Sequence, residues 1–152
     1  MSKPRERWWT YVRNAIRAYP ELRRRYAELH DMPVTRQPKS IIDPVTGRLA
    51  DFYGSGGGSG TNRQAEGAAL RELRPQDQKE LDAVRRALET TELREDGRDR
   101  LRFLELYHFR RAKLATAAHR ASISEPTALR WNREFIYTVA RNLEIWGKDD
   151  LY

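Results

Sequence analysis

The segment 117–133, AAHRASISEPTALRWNR, constrains the fold of this chain more than any other stretch. Its apolar residues recur at helical spacing on both sides of a short polar interval, which is typical of two helices joined by a tight turn. The predicted buried residues are Ala117, Ala118 and Ala121 in the first helix and Ala128 and Trp131 in the second. Two helices joined so closely cross at a steep angle and leave the outer face of the second exposed.

Capping residues mark the start of the second helix. Ser124 is the predicted N-cap, and Pro126 lies in the first turn, where its missing N–H costs nothing. Residues Ser122–Ser124 form the predicted turn, with Ile123 pointing inward. We therefore expect a helix-turn-helix at about 114–143, the motif whose second helix enters the major groove of DNA.

The N-terminal segment 5–30 is also predicted to be helical, with one apolar stripe. The stripe consists of Trp8, Val12, Ala15, Ile16, Tyr19, Leu22, Tyr26 and Leu29. Pro20 either kinks this helix or starts a second helix after a bend. The stripe is too large to leave in water, so the helix either docks on the rest of the chain or forms a homo-oligomer. For Trp8 and Trp9, packing is the main expectation and stacking on single-stranded nucleic acid is the alternative.

Residues 31–62 have the composition of a Pro/Gly-rich linker. They include a predicted turn at 43–47 and the run GSGGGSG, which is flexible by composition. No strand precedes these glycines and no Gly-Lys-Ser/Thr sequence follows them, so they are not a phosphate-binding loop. The linker divides the chain into an N-terminal amphipathic helix at 1–30 and a helical domain at 63–152.

Further helices are predicted in the C-terminal half. A short helix over Gln64–Leu73 precedes a longer one over Pro75–Leu93, whose buried residues are Leu81, Val84 and Leu88. Asp99 is the predicted cap of the next helix, which ends near Arg110 or Arg111. Its predicted apolar contacts are Leu101, Leu104, Leu106 and Tyr107.

The second helix of the helix-turn-helix is predicted to continue through Trp146 and to stop at Gly147. No β-alternation is present. The predicted fold class is therefore all-α: a C-terminal helical bundle that contains the helix-turn-helix, with an N-terminal helix on a flexible linker.

The charge of the chain favours polyanionic partners, nucleic acid first. The net charge is +7 and the isoelectric point is about 10.0. Between residues 110 and 133 the one acidic residue is Glu125, whereas the basic residues are Arg110, Arg111, Lys113, Arg120, Arg130 and Arg133. Cysteine is absent, which excludes disulfides and cysteine-based metal sites and suits a reducing cytoplasm. No apolar run approaches the roughly 18 residues that span a bilayer, so we expect a soluble protein without a membrane partner.

The segment 113–135 resembles region 4 of bacterial sigma factors, although Ser122 stands in place of the usual turn glycine. The chain as a whole, over roughly 19–146, is similar to phage late-gene regulators of the ArpU/RinA type. That similarity rests on YPELRRRYAEL, the glycine-rich linker, AALRELRPQDQKELDAVRRALE and GRDRLRFLELYHFRR. It implies a sequence-specific activator of phage or prophage late genes in the cytoplasm of a bacterial host, with double-stranded DNA as its partner. Contact with host RNA polymerase stays open from the sequence.

Seven residues are candidates for DNA contacts. Arg130 and Arg133 are predicted to read bases, because a guanidinium pairs bidentately with guanine. Thr127 is a candidate for a thymine methyl or a phosphate, and Glu125 either accepts from cytosine or favours the helix dipole. The residues predicted to anchor phosphates are Arg110, Arg111 and Lys113.

Enzymatic function is not expected, and neither is a cofactor or a metal. The histidines His30, His108 and His119 lie on separate segments without metal-ligand spacing. Acidic residues near Arg100 alternate with arginines at helical spacing, which favours surface ion pairs over a catalytic carboxylate pair. Two other functions remain open from the sequence. One is a small terminase subunit or another DNA-packaging protein, and the other is a region-4-like adaptor that contacts RNA polymerase.

Overall fold

The computed structural model describes residues 3–30, 40–43, 45–50 and 73–145. Within these ranges every regular element is helical, apart from one isolated antiparallel bridge between Ile42 and Leu49. The helices are α1 (Lys3–Leu29), α2 (Pro75–Glu92), α3 (Gly97–Leu104), α4 (Leu114–Arg120) and α5 (Glu125–Asn142). A π-helical segment, Glu105–Phe109, continues α3. The prediction of an all-α fold is confirmed.

Helix α1 is continuous through Pro20. The first six residues of its predicted stripe, from Trp8 to Leu22, are buried, and Tyr26 and Leu29 are half-buried. Apolar side chains on both sides of the proline thus enter the same core, and their burial holds the helix together where one backbone hydrogen bond is missing.

The N-terminal helix docks on the C-terminal bundle. Tyr11 on α1 donates a hydrogen bond to Glu80 on α2, with an oxygen–oxygen distance of 2.6 Å. The rings of Trp8 and Tyr137 lie 5.7 Å apart, which joins α1 to α5. The two tryptophans are thus packed: Trp8 is buried and Trp9 is half-buried against the core. The apolar stripe of α1 and the apolar faces of α2, α3 and α5 form one core.

Part of the predicted linker is fixed to the bundle. Ile41 is fully buried, and its backbone N–H donates to the Glu105 carboxylate at 2.7 Å. The predicted turn at 43–47 is present, closed by a bond from the Gly47 N–H to the Asp43 carbonyl. The remainder of the predicted linker and the predicted helix at 64–73, apart from Leu73, lie outside the described residues.

Helix α5 ends earlier than the sequence suggests, at Asn142. Glu144 adopts a left-handed conformation with φ 61°, and the Ile145 N–H then bonds back to the Ala140 carbonyl at 3.0 Å. This is the Schellman geometry that glycine usually supplies. The predicted stop at Gly147 is therefore wrong, because the partly buried Ile145 turns back onto the core and fixes the helix end.

The start of α3 also differs from the prediction. Asp96, rather than Asp99, occupies the N-cap position, and Asp99 lies exposed in the first turn. The chain turns here because Gly97 is packed against the end of α2. A Cβ at this position would lie 2.5 Å from the Glu92 carbonyl oxygen, which leaves no room for a side chain.

Candidate nucleic-acid interface

The connection between α4 and α5 is a short turn with defined geometry. Ser122 adopts the left-handed conformation with φ 61°, and the Ile123 N–H bonds to the Ala118 carbonyl at 3.0 Å. This position holds serine and not glycine, so the left-handed conformation carries a steric cost here. Ser124 then caps α5, since its side-chain oxygen accepts the Thr127 N–H at 3.2 Å. The predicted N-cap is thus confirmed.

Small residues pack the two helices together. Ala117 and Ala118 on α4 and Ala128 on α5 are almost fully buried. Trp131 is buried in the core as predicted, with its ring 6.4 Å from that of Phe103 in an edge-on arrangement. These contacts fix α5 against the bundle and determine which of its side chains face outward.

We define the outer face of α5 by the exposed residues Glu125, Leu129, Arg130 and Arg133. Three of the four are sequence-predicted site residues. Thr127, which was expected to point away from the core, is half-buried, and its hydroxyl accepts a hydrogen bond from the Ser124 hydroxyl at 2.9 Å. Its position in the capping turn therefore leaves it less exposed than Arg130 and Arg133.

Leu129 is the residue on this face that sequence reasoning missed. Its side chain is 53% exposed, whereas leucine at a helical position is ordinarily assigned to a core. The signal in the sequence was its position between Ala128, predicted to be buried, and Arg130, predicted to contact DNA. Because an apolar side chain on a recognition helix can contact a thymine methyl group, Leu129 belongs with the candidate residues.

The candidate basic residues fall into two groups. Within the described part of the chain, the side chains of four of them are exposed and make neither hydrogen bonds nor ion pairs: Arg111, Lys113, Arg130 and Arg133. Arg110, by contrast, forms an ion pair with Glu105 at 3.0 Å. The phosphate anchors predicted from the sequence are therefore not equivalent, since the charge of Arg110 is already compensated.

A buried polar pair connects the π-helical segment to α5. His108 of the π-helical segment is fully buried, and its Nε2 lies 2.7 Å from the Asn132 side-chain oxygen. Burial, together with the positive charges of Arg17, Arg13 and Arg111, lowers the pKa of His108 to about 3. The imidazole is thus neutral at physiological pH and joins α5 to the bundle without adding a charge.

The described residues contain no group of three His, Cys, Asp or Glu side chains that could hold a metal ion. In the same ranges, none of the helices combines the length and the apolar character that crossing a membrane requires. An ion pair is present near Arg100, which bonds to Asp96 at 2.7 Å, but Arg100 is buried and not on the surface as expected.

Comparison of the chain with protein-family models, with curated proteins and with solved structures found no match.

Proposed function

We propose that the chain is a sequence-specific DNA-binding protein whose α5 enters the major groove. The observation that carries this proposal is the outer face of α5, where Arg130 and Arg133 are exposed and lack partners among the described residues. An unpaired guanidinium on an exposed helix is free to bind an external acceptor, and guanine offers two acceptors at matching spacing.

The order of residues along α5 fits this role. Recognition helices contact base edges mainly with residues near their N-terminus, and the outer face of α5 lies within the first half of Glu125–Asn142. Arg130 and Arg133 would pair with guanines, Leu129 would contact a thymine methyl, and Glu125 would accept from a cytosine amino group.

Phosphate contacts would come from the segment before α4. Arg111 and Lys113 are exposed, and Lys113 occupies the N-cap position of α4. Cations at this position hold the protein in register on the duplex and contribute salt-dependent affinity without reading the sequence.

The resemblance to phage late-gene regulators extends the proposal to transcription control of phage or prophage genes. Binding of the purified protein to fragments of the genome that encodes it, at roughly physiological salt, tests this directly, because non-specific binding is weak there. The expected result is enrichment of one short site upstream of a gene cluster.

Other outcomes of this experiment would contradict the proposal in different ways. Enrichment at a packaging start, together with a ring-sized mass from light scattering, would favour a DNA-packaging protein. Absence of DNA binding even at low salt would favour an adaptor that contacts RNA polymerase.

A further inference from the structure

Two arginines of α1 lie against the π-helical segment without an acceptor. Arg13 and Arg17 are one turn apart on α1 and are both half-buried. The Arg17 guanidinium lies over the Tyr107 ring, 5.6 Å from its centre. The Nε atoms of both arginines are buried and have no hydrogen-bond partner. Such unmet donors are uncommon in folded proteins and call for an explanation.

A third arginine lies close to these two. The burial of Arg17 and the neighbouring charges of Arg111 and Arg13 lower its pKa, and no carboxylate acts in the opposite direction. The same three arginines also disfavour the charged form of the buried His108. We call Arg13, Arg17 and Arg111 the arginine cluster. Its positive charges repel one another and lack a compensating anion within the described part of the chain.

Helix α1, which carries two of these arginines, packs along α5. Trp9 contacts Tyr137 edge-on, with ring centres 5.9 Å apart. Arg13 lies one turn after Trp9 on α1, and Arg133 lies one turn before Tyr137 on α5. The Arg17 guanidinium of α1 lies over the Tyr107 ring. The next residue, His108, bonds to Asn132 of α5. These contacts place the Arg13–Arg17 segment of α1 beside the part of α5 that precedes Tyr137, which includes Arg133.

We propose that the arginine cluster binds a phosphate group of the DNA backbone beside the groove that α5 enters. This inference rests on the proposed function. A phosphate offers several acceptor oxygens to guanidinium donors, and its charge offsets the repulsion within the cluster. Helix α1 then forms part of the DNA-binding surface in addition to the core.

The salt dependence of DNA binding tests this inference. We would measure the affinity of the full chain for one duplex between roughly 50 and 200 mM salt, for wild type and for the double variant R13Q/R17Q. The matched control is R86Q/R98Q, because Arg86 and Arg98 are exposed and make no ion pair among the described residues. Each lost phosphate contact lowers the slope of log affinity against log salt by about 1.

The expected result is a slope about 1 to 2 smaller for R13Q/R17Q and unchanged for the control. Thermal unfolding establishes that the variants are folded. A second variant, R111Q, changes an exposed residue and avoids the core altogether, and its slope should fall by about 1.

Three outcomes would overturn the inference. If wild type binds DNA and R13Q/R17Q retains the wild-type slope, α1 does not contact the backbone, although the proposed function, including the contact from Arg111, stands. If inorganic phosphate stabilises wild type but not R13Q/R17Q while the DNA slope is unchanged, the cluster binds free phosphate instead. If wild type binds no duplex at low salt, the proposed function and this inference both fail.

Discussion

Arginines in two regions of the molecule differ in how their charge is compensated. Arg100 on α3 is buried, bonds to Asp96 and to Glu134 at 2.7 and 2.6 Å, and lies 4.9 Å from the centre of the Trp131 ring. Arg130 and Arg133 on the outer face of α5 are exposed and unpaired within the described residues. The first region uses its cation to hold the fold together, whereas the second leaves its cations available to an external anion.

The pKa shifts of Arg100 and Arg17 show a similar contrast between a paired and an unpaired arginine. Burial opposes the charge of Arg100, yet its bonds to Glu134 and Asp96 raise its pKa. Burial and neighbouring arginines lower the pKa of Arg17, which has no such bonds. Substitutions in the paired interior should therefore change stability, and substitutions on the unpaired surface should change binding.

The largest expected effect on stability is that of pH, through His108. The unfolded chain takes up a proton on this histidine below about pH 6.5, whereas the folded chain does so near pH 3. The free energy of unfolding should therefore fall as the pH is lowered through this window, by about 1.4 kcal/mol per pH unit from this group.

Chemical denaturation of wild type and His108→Gln between these pH values measures the effect. The difference between the two curves removes the contribution of the carboxylates, which both proteins share. His119→Gln, which replaces an exposed imidazole, is the matched control. If the free energy of unfolding changes with pH equally in wild type and in His108→Gln, the His108 imidazole is not held neutral in the folded state.

Arg100→Ala should cost about 2–3 kcal/mol of folding stability. The substitution removes two charge-assisted hydrogen bonds, the cation–π contact with Trp131 and the packing of the aliphatic stem. Arg86→Ala, at an exposed and unpaired position, should change stability by less than about 0.5 kcal/mol. Equal losses of folding stability in Arg100→Ala and Arg86→Ala would contradict the claim that the paired arginine stabilises the fold more than the unpaired one.

Gly97→Ala should destabilise the fold by about 2 kcal/mol, because a methyl group meets the backbone carbonyls of Glu92 and Thr91. Asp99→Ala alters an exposed residue in the same turn and should cost clearly less, since Asp99 does not cap the helix. Urea denaturation of both variants measures these losses of stability. A larger loss for Asp99→Ala than for Gly97→Ala would contradict the assignment and indicate that Asp99 caps the helix.

Ser122→Gly should stabilise the fold by about 0.5–1 kcal/mol, since glycine adopts a left-handed conformation without the steric cost that serine bears. Ser124→Ala, two residues further on, should instead cost about 1 kcal/mol because it removes the N-cap bond to Thr127. Thermal unfolding distinguishes the two signs. A loss of stability in Ser122→Gly would mean that the turn is not strained.

Much of the fold is predictable from apolar spacing. The buried faces of α1 and α2, with Val12, Ile16, Leu81, Val84 and Leu88, follow the helical period because each helix has one side in the core. The capping of α5 by Ser124 is local chemistry and is likewise predictable. These features depend on neighbours in the sequence.

Features that depend on tertiary contacts were not predictable. The end of α5 at Asn142 depends on Ile145 returning to the core, which the local sequence pattern does not specify. In the candidate site, the sequence identified basic residues but not which of them are paired. Arg110 is compensated by Glu105, five residues before it and outside the usual helical pair spacing.

One measurement tests the central claim, that the unpaired arginines of α5 read DNA. Affinities for the genomic fragment retained by wild type and for a random duplex are compared for R130A, R133A and the exposed control pair R86A/R98A. We expect R130A and R133A each to lose about 1–3 kcal/mol of binding on the retained fragment and much less on random DNA, with no change in the control. Equal losses on both duplexes, or none, would contradict the claim.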